Sequence, residues 1–160
     1  MKALSFPPKY KGFTLVELMV TLALLSVIAL TAMPLAEISS MRMKEHELRQ
    51  SLRLIRTALD QYKAASDSGV IPKKAGESGY PPNLDVLTAP IASSKEIVQV
   101  PLIFLRSMPR DPFNTDPSLP AANTWALRSY GKVGEIGLDV FDIHSQSTRQ
   151  GLNGIRHDQW

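Results

Sequence analysis

From Phe13 to Ala36 the chain has no Lys, Arg, Asp, Asn, Gln or His, and Glu17 is the only charge in the run. A helix of these 24 residues would be about 36 Å long at ~1.5 Å per residue, enough to cross a hydrocarbon core of ~30 Å. Lys2, Lys9 and Lys11 precede the run, and Glu37, Arg42, Lys44 and Glu45 follow it. Positive charge before the span and mixed charge after it place the N-terminus in the cytoplasm. The chain is therefore expected to be a single-pass membrane protein. Everything after the run must fold on the far side.

Glu17 does not belong in an ordinary anchor. An acid at the centre of a spanning helix costs roughly 2.5–3.5 kcal/mol on insertion scales, and less near the end. Either the carboxylate reaches the headgroup layer and does nothing, or it has a partner. A cut between Gly12 and Phe13 would create an α-amino group one helical turn from Glu17. The run is too long for the apolar core of a secretory signal peptide, although Leu30-Thr31-Ala32 could pass as a weak cleavage site. An uncleaved signal anchor is the other alternative.

Lys11-Gly12-Phe13-Thr14-Leu15-Val16-Glu17, followed by an apolar helix carrying Pro34, resembles the N-terminus of type IV pilins and pseudopilins. The resemblance implies that a prepilin peptidase cleaves between Gly12 and Phe13 and methylates the new terminal amine of Phe13. It implies that Glu17 pairs with the Phe13 amine of a neighbouring subunit during assembly. It also makes Pro34 the point where the helix is kinked. Removing residues 1–12 takes away three of the 18 basic side chains and leaves 15 against 15 acids. The pI of 9.3 is then a property of the leader. No basic patch with interleaved aromatics remains, so nucleic acid is not an expected partner.

Beyond Pro34 a helical pattern resumes at once. Proline inside a helix removes one hydrogen bond and clashes with the carbonyl four residues back, here Leu30, so a kink is expected rather than an end. Leu48, Leu52, Ile55, Leu59 and Tyr62 form one apolar stripe. Glu45, Glu47, Arg49, Gln50, Arg53, Arg56, Asp60 and Lys63 read as the solvated face. Ser66-Asp67-Ser68-Gly69 stops the helix. The reading is one helix from about Phe13 to about Ala65, its first half in lipid and its second half presenting the stripe to a small head. A coiled-coil dimer would need more heptads than are present.

The head begins with a loop through Tyr80-Pro81-Pro82. Asn83 can cap a short helix, Leu84–Thr88. Ile97–Leu105 reads as an irregular or edge segment because of Pro101. A turn follows at Ser107–Phe113. Two strands are expected, Trp125–Tyr130 and Leu138–Ile143, joined by the glycine-spaced loop Gly131–Gly137. That loop has the wrong spacing for a nucleotide fingerprint.

The order of these pieces is similar to one branch of the family, the major pseudopilin of type II secretion. The resemblance rests on Tyr80-Pro81, Pro109-Arg110-Asp111-Pro112, Trp125–Tyr130, Asp139–Ile143 and Trp160. It implies a calcium site in the C-terminal loop. Asp142, Ser145, Ser147 and Asp158 are the calcium candidates here, since hard oxygen donors in a flexible loop suit that ion. Thr148 and Arg149 stand where the family usually has an aspartate, so a plain hydrogen-bonded loop without a cofactor is favoured.

Nothing else carries chemistry. His46, His144 and His157 lack metal-ligand spacing, no Gly-x-Ser-x-Gly elbow occurs, and the chain has no cysteine. An enzyme is not expected. The expectation is an α+β, lollipop-shaped protein: a leader over 1–12, a membrane and assembly helix over 13–36, a periplasmic half-helix over 37–66, and a head over 67–160. It would lie in the bacterial inner membrane with its head in the periplasm. It would form a homo-oligomeric helical fibre together with other pseudopilins and an inner-membrane assembly platform. The rival readings are a type IV pilin or competence pseudopilin, and a monomeric signal-anchored periplasmic binding protein.

Overall fold

The computed structural model describes residues 12–74, 76–94, 101–130 and 139–160, apart from the side chain of Thr31. It divides into two compact units, Met1–Ser40 and Met41–Trp160. One α-helix, α1 (Leu15–Asp67), runs through both, with Pro34 inside it. Residues Ile91 and Leu102 form an isolated bridge, and a two-stranded antiparallel sheet joins β1 (Trp125–Arg128) to β2 (Asp142–Ser145). The fold is α+β and pilin-like, a long N-terminal helix followed by a small sheet.

In the first unit every described residue of α1 is exposed. Apart from the bond that Pro34 cannot donate, the helix closes its own backbone hydrogen bonds. The polar side chains do likewise: Thr21 and Ser26 donate back to the carbonyls of Leu18 and Leu22. This is the one helix among the described residues long and apolar enough to cross a membrane, and a helix with its backbone internally satisfied is what a hydrocarbon solvent demands.

In the second unit the apolar stripe does what its spacing predicts. Leu48, Leu52, Ile55, Leu59 and Tyr62 are all buried, against Leu84, Leu87, Leu105, Trp125, Val140 and Ile143. The helix ends at the expected place. Gly69 adopts φ +72°, and the amides of Val70 and Gly69 return to the carbonyls of Ala65 and Ser66. This is a Schellman motif, which needs a residue tolerant of the left-handed region. Asn83 caps a 3-10 turn, Leu84–Leu87, by accepting the Val86 amide.

The strands differ from the expectation in extent. β1 ends at Arg128 rather than Tyr130, because the Asp139 carboxylate takes the Tyr130 amide and the Ser129 hydroxyl in place of a ladder partner. β2 begins at Asp142 rather than Leu138 and runs on to Ser145. Val140 is buried, but its amide goes to Pro81, outside the sheet. Polar His144 and Ser145 concealed the end of the strand. The expected loop Gly131–Gly137, Leu138 and the start of Ile97–Leu105 lie outside the described residues.

Candidate assembly segment and C-terminal loop

The assembly candidates sit where α1 opens. Gly12 and Phe13 precede the first helical turn and are exposed, and a Cβ at Gly12 would meet nothing within 4 Å. Thr14 is the N-cap: its hydroxyl accepts the Glu17 amide at 3.2 Å and its carbonyl accepts the Leu18 amide at 3.1 Å. Glu17 is thus the third helical residue, where a negative charge is stabilised by the helix dipole, by roughly 0.3–1 kcal/mol when exposed. Thr-x-x-Glu is the spacing of a capping box. The sequence carries that signal at Thr14, beside the more conspicuous membrane charge of Glu17. The Gly12–Phe13 bond is exposed and lies ahead of the helix, outside regular secondary structure.

The calcium candidates are dispersed among other partners. The Asp142 carboxylate accepts the Arg56 Nε–H at 2.7 Å. Both carboxylate oxygens of Asp158 receive Arg156, at 3.1 and 2.5 Å. The Ser145 hydroxyl donates to Asp111 Oδ2 at 2.5 Å, and Ser147 Oγ lies 3.5 Å from His157 Nδ1. No group of three or more His, Cys, Asp or Glu gathers among the described residues. An open cavity of about 440 Å³ beside the loop is lined by Asp111, Phe113, Asn114, Asp116, Ser147 and Arg149. A guanidinium at its wall opposes a divalent cation. The donor set does not fit calcium, because the two acids among the four candidates are already neutralised by arginines.

Asp111, from the Pro-Arg-Asp-Pro turn, is a buried organiser. Its amide donates to Thr124 Oγ1, its Oδ1 accepts the Phe113 amide, and its Oδ2 holds Ser145 in β2. Phe113 in turn stacks on fully buried His157 at 4.0 Å. Burial pushes the His144 imidazole below its ordinary range, and the Arg128 charge adds to this. Burial works to raise the Asp139 carboxyl, but hydrogen bonds from Ser129, Ser78 and the Tyr130 amide outweigh it and hold the group low.

Three residues assigned to the solvated face, Glu45, Arg56 and Lys63, are partly or wholly covered. Glu45 is 4% exposed and accepts the Leu152 amide at 2.6 Å. Arg56 is half-buried and reaches Asp142, the Ile143 carbonyl and the main-chain oxygen of Trp160. A signal did exist for Glu45. It precedes Leu48 by three residues and so continues the spacing of the stripe.

Residues 7–33 match the family model described as the prokaryotic N-terminal methylation motif. The type IV major pilin protein PilA of Myxococcus xanthus (strain DK1622) is 31% identical over 88 residues, covering 50% of this chain and 40% of the pilin. The match thus spans less than half of that relative's length. No solved structure matches the chain.

Proposed function

The chain belongs to the type IV pilin/pseudopilin superfamily, and from that premise we propose that it is a structural subunit, a pseudopilin whose fibre drives protein export in type II secretion. The observation that carries the reading is the segment from Gly12 to Ala36. It joins an exposed Gly–Phe bond, a capped acid in the first turn and a helix exposed on every side. A helix of this kind serves as a lipid span before assembly and as packing surface after it. Prepilin peptidase would release residues 1–12, leaving N-methyl-Phe13 in the inner membrane with the head in the periplasm.

Phe13 and Glu17 are four residues apart, ~6 Å along a helix axis. Pairing the amine of one subunit with the carboxylate of the next therefore displaces neighbours axially, as in a helical fibre. The work of export lies in packing and in the motor, and the subunit itself performs no catalysis. Intact-mass measurement of membrane-extracted protein should give a chain starting at N-methyl-Phe13. Residues 1–12 still attached would overturn the processing and favour a monomeric anchored protein. Glu17→Ala should insert normally and abolish fibres, and wild-type fibre yield would show that the carboxylate is merely tolerated.

The match to a major pilin favours a second reading, a type IV pilin. Deletion of the gene separates the two. Loss of exported proteins with surface fibres intact supports the pseudopilin, and the converse supports the pilin.

A further inference from the structure

The C-terminal loop is closed by charges of α1 that lie far away in sequence. Glu45 holds the Leu152 amide across 107 residues at 2.6 Å. Arg56 spans 86 residues to Asp142 and 104 to the main-chain oxygen of Trp160, at 2.7 and 2.9 Å. The Arg49 guanidinium lies 4.3 Å from the centre of the Trp160 ring. Gly151 is the close-fitting point. A Cβ there would stand 2.7 Å from Trp160 Cζ2 and 3.1 Å from Glu45 Oε1, so nothing larger passes between helix and ring. Within the loop, Gln150 bridges to Arg156, which forks onto Asp158.

We propose that residues 146–160 form a metal-independent latch on α1, in which Glu45 and Arg56 are the positioning residues and arginines supply the positive charge. Carboxylates in and beside the loop need a cation close by, and a bound divalent ion is one source. Here Asp142 and Asp158 each have a guanidinium with fork geometry, fixed in the chain and unable to dissociate or deprotonate. A divalent ion would have to displace both arginines to reach those oxygens. Glu45, desolvated under the loop, receives a main-chain amide rather than metal. The latch concerns the head alone and stands whether the fibre serves secretion or a pilus.

The test uses the full chain in detergent micelles, with calcium chloride as the probe. Thermal unfolding followed by tryptophan emission should give midpoints in millimolar calcium and in excess chelator that agree to within about 1 °C, since an ion that does not bind shifts nothing. A rise of more than about 5 °C in calcium, abolished by Asp158→Asn, would overturn the proposal. In Glu45→Ala the loop should open locally. Trypsin should cut after Arg149 and Arg156 about tenfold faster or more, as expected for losing a buried charge-assisted hydrogen bond, and Trp160 emission should move to the red. Calcium should reverse neither effect, while Glu45→Gln, which keeps an acceptor for Leu152, should recover much of the protection. Unchanged cleavage in Glu45→Ala would show that the loop is held elsewhere. The wild-type calcium comparison decides the metal question even if the alanine variant fails to fold.

Discussion

Leu24 and Leu48 belong to the same helix, yet Leu24 is 60% exposed and Leu48 is fully buried. In the stretch from Leu15 to Ser40 apolar residues cover every side. From Met41 to Asp67 the buried ones form one stripe, with Glu45 and Arg56 at its margins, while Met43 and Leu54 stay exposed. The two stretches share backbone geometry and differ in the solvent they are written for. The first finds its apolar environment outside the chain, and its described hydrogen bonds, those of Thr14, Thr21 and Ser26 included, all run to neighbours within one turn. The second makes an apolar environment out of the head. A leucine therefore has opposite consequences in the two stretches.

That contrast breaks most clearly under paired substitutions. Leu52→Ala should cost about 2–5 kcal/mol of head stability, the usual penalty for truncating a packed core residue, and leave membrane insertion unchanged. Unfolding of the full chain in micelles measures the first, and carbonate extraction of membranes the second. Leu24→Arg should do the reverse, costing roughly 2.5–3.5 kcal/mol of insertion with the unfolding midpoint of the head unmoved. If Leu24→Arg lowered that midpoint, the two stretches would not be energetically separate.

Thr14→Ala removes the cap and should cost about 0.5–2 kcal/mol of helix stability at the opening turn. Faster amide exchange at Glu17 and Leu18, with the head unaffected, would confirm it. Unchanged exchange would mean that the flanking chain satisfies those amides without the hydroxyl.

The smallest effect expected is on pH dependence. His144 has a folded pKa below its unfolded value, so protons bind the unfolded chain better. Its contribution is fully present above the ordinary histidine range and is lost as pH falls through that range towards the lower folded value. Melting midpoints should therefore drop on mild acidification, and His144→Gln should flatten that part of the profile. Asp139, also held low, adds a loss that begins only as pH falls into the carboxylate range. An acid slope unchanged in His144→Gln would assign the titration to another group.

Much of this was legible in the residues alone. The motif at Gly12–Glu17, the apolar span, the stripe from Leu48 to Tyr62, the stop at Gly69 and the Asn83 cap all rest on neighbours within one or two turns. Such contacts follow from helical periodicity, steric limits on φ and short hydrogen-bonding reach, and these act wherever the rest of the chain goes. The register of β2 was less visible. Its last residues, His144 and Ser145, are polar, and Ser145 is buried only because Asp111 waits 34 residues away to accept its hydroxyl.

The same limit hid Glu45 and Arg56. Periodicity places a charged residue near the edge of a stripe but says nothing of what will cover it. Whether a carboxylate there meets water or the Leu152 amide depends on where a loop a hundred residues later comes to lie. The sequence by itself determined that this chain has a membrane-length helix, an N-terminal methylation motif and a second half whose core residues lie on one side, because each is a local pattern of residues. Only the tertiary structure decided which charges are buried, where the second strand begins and what holds the tail shut. Those outcomes depend on partners brought together by the packing of the head, and a buried charge is tolerated only once its partner has arrived.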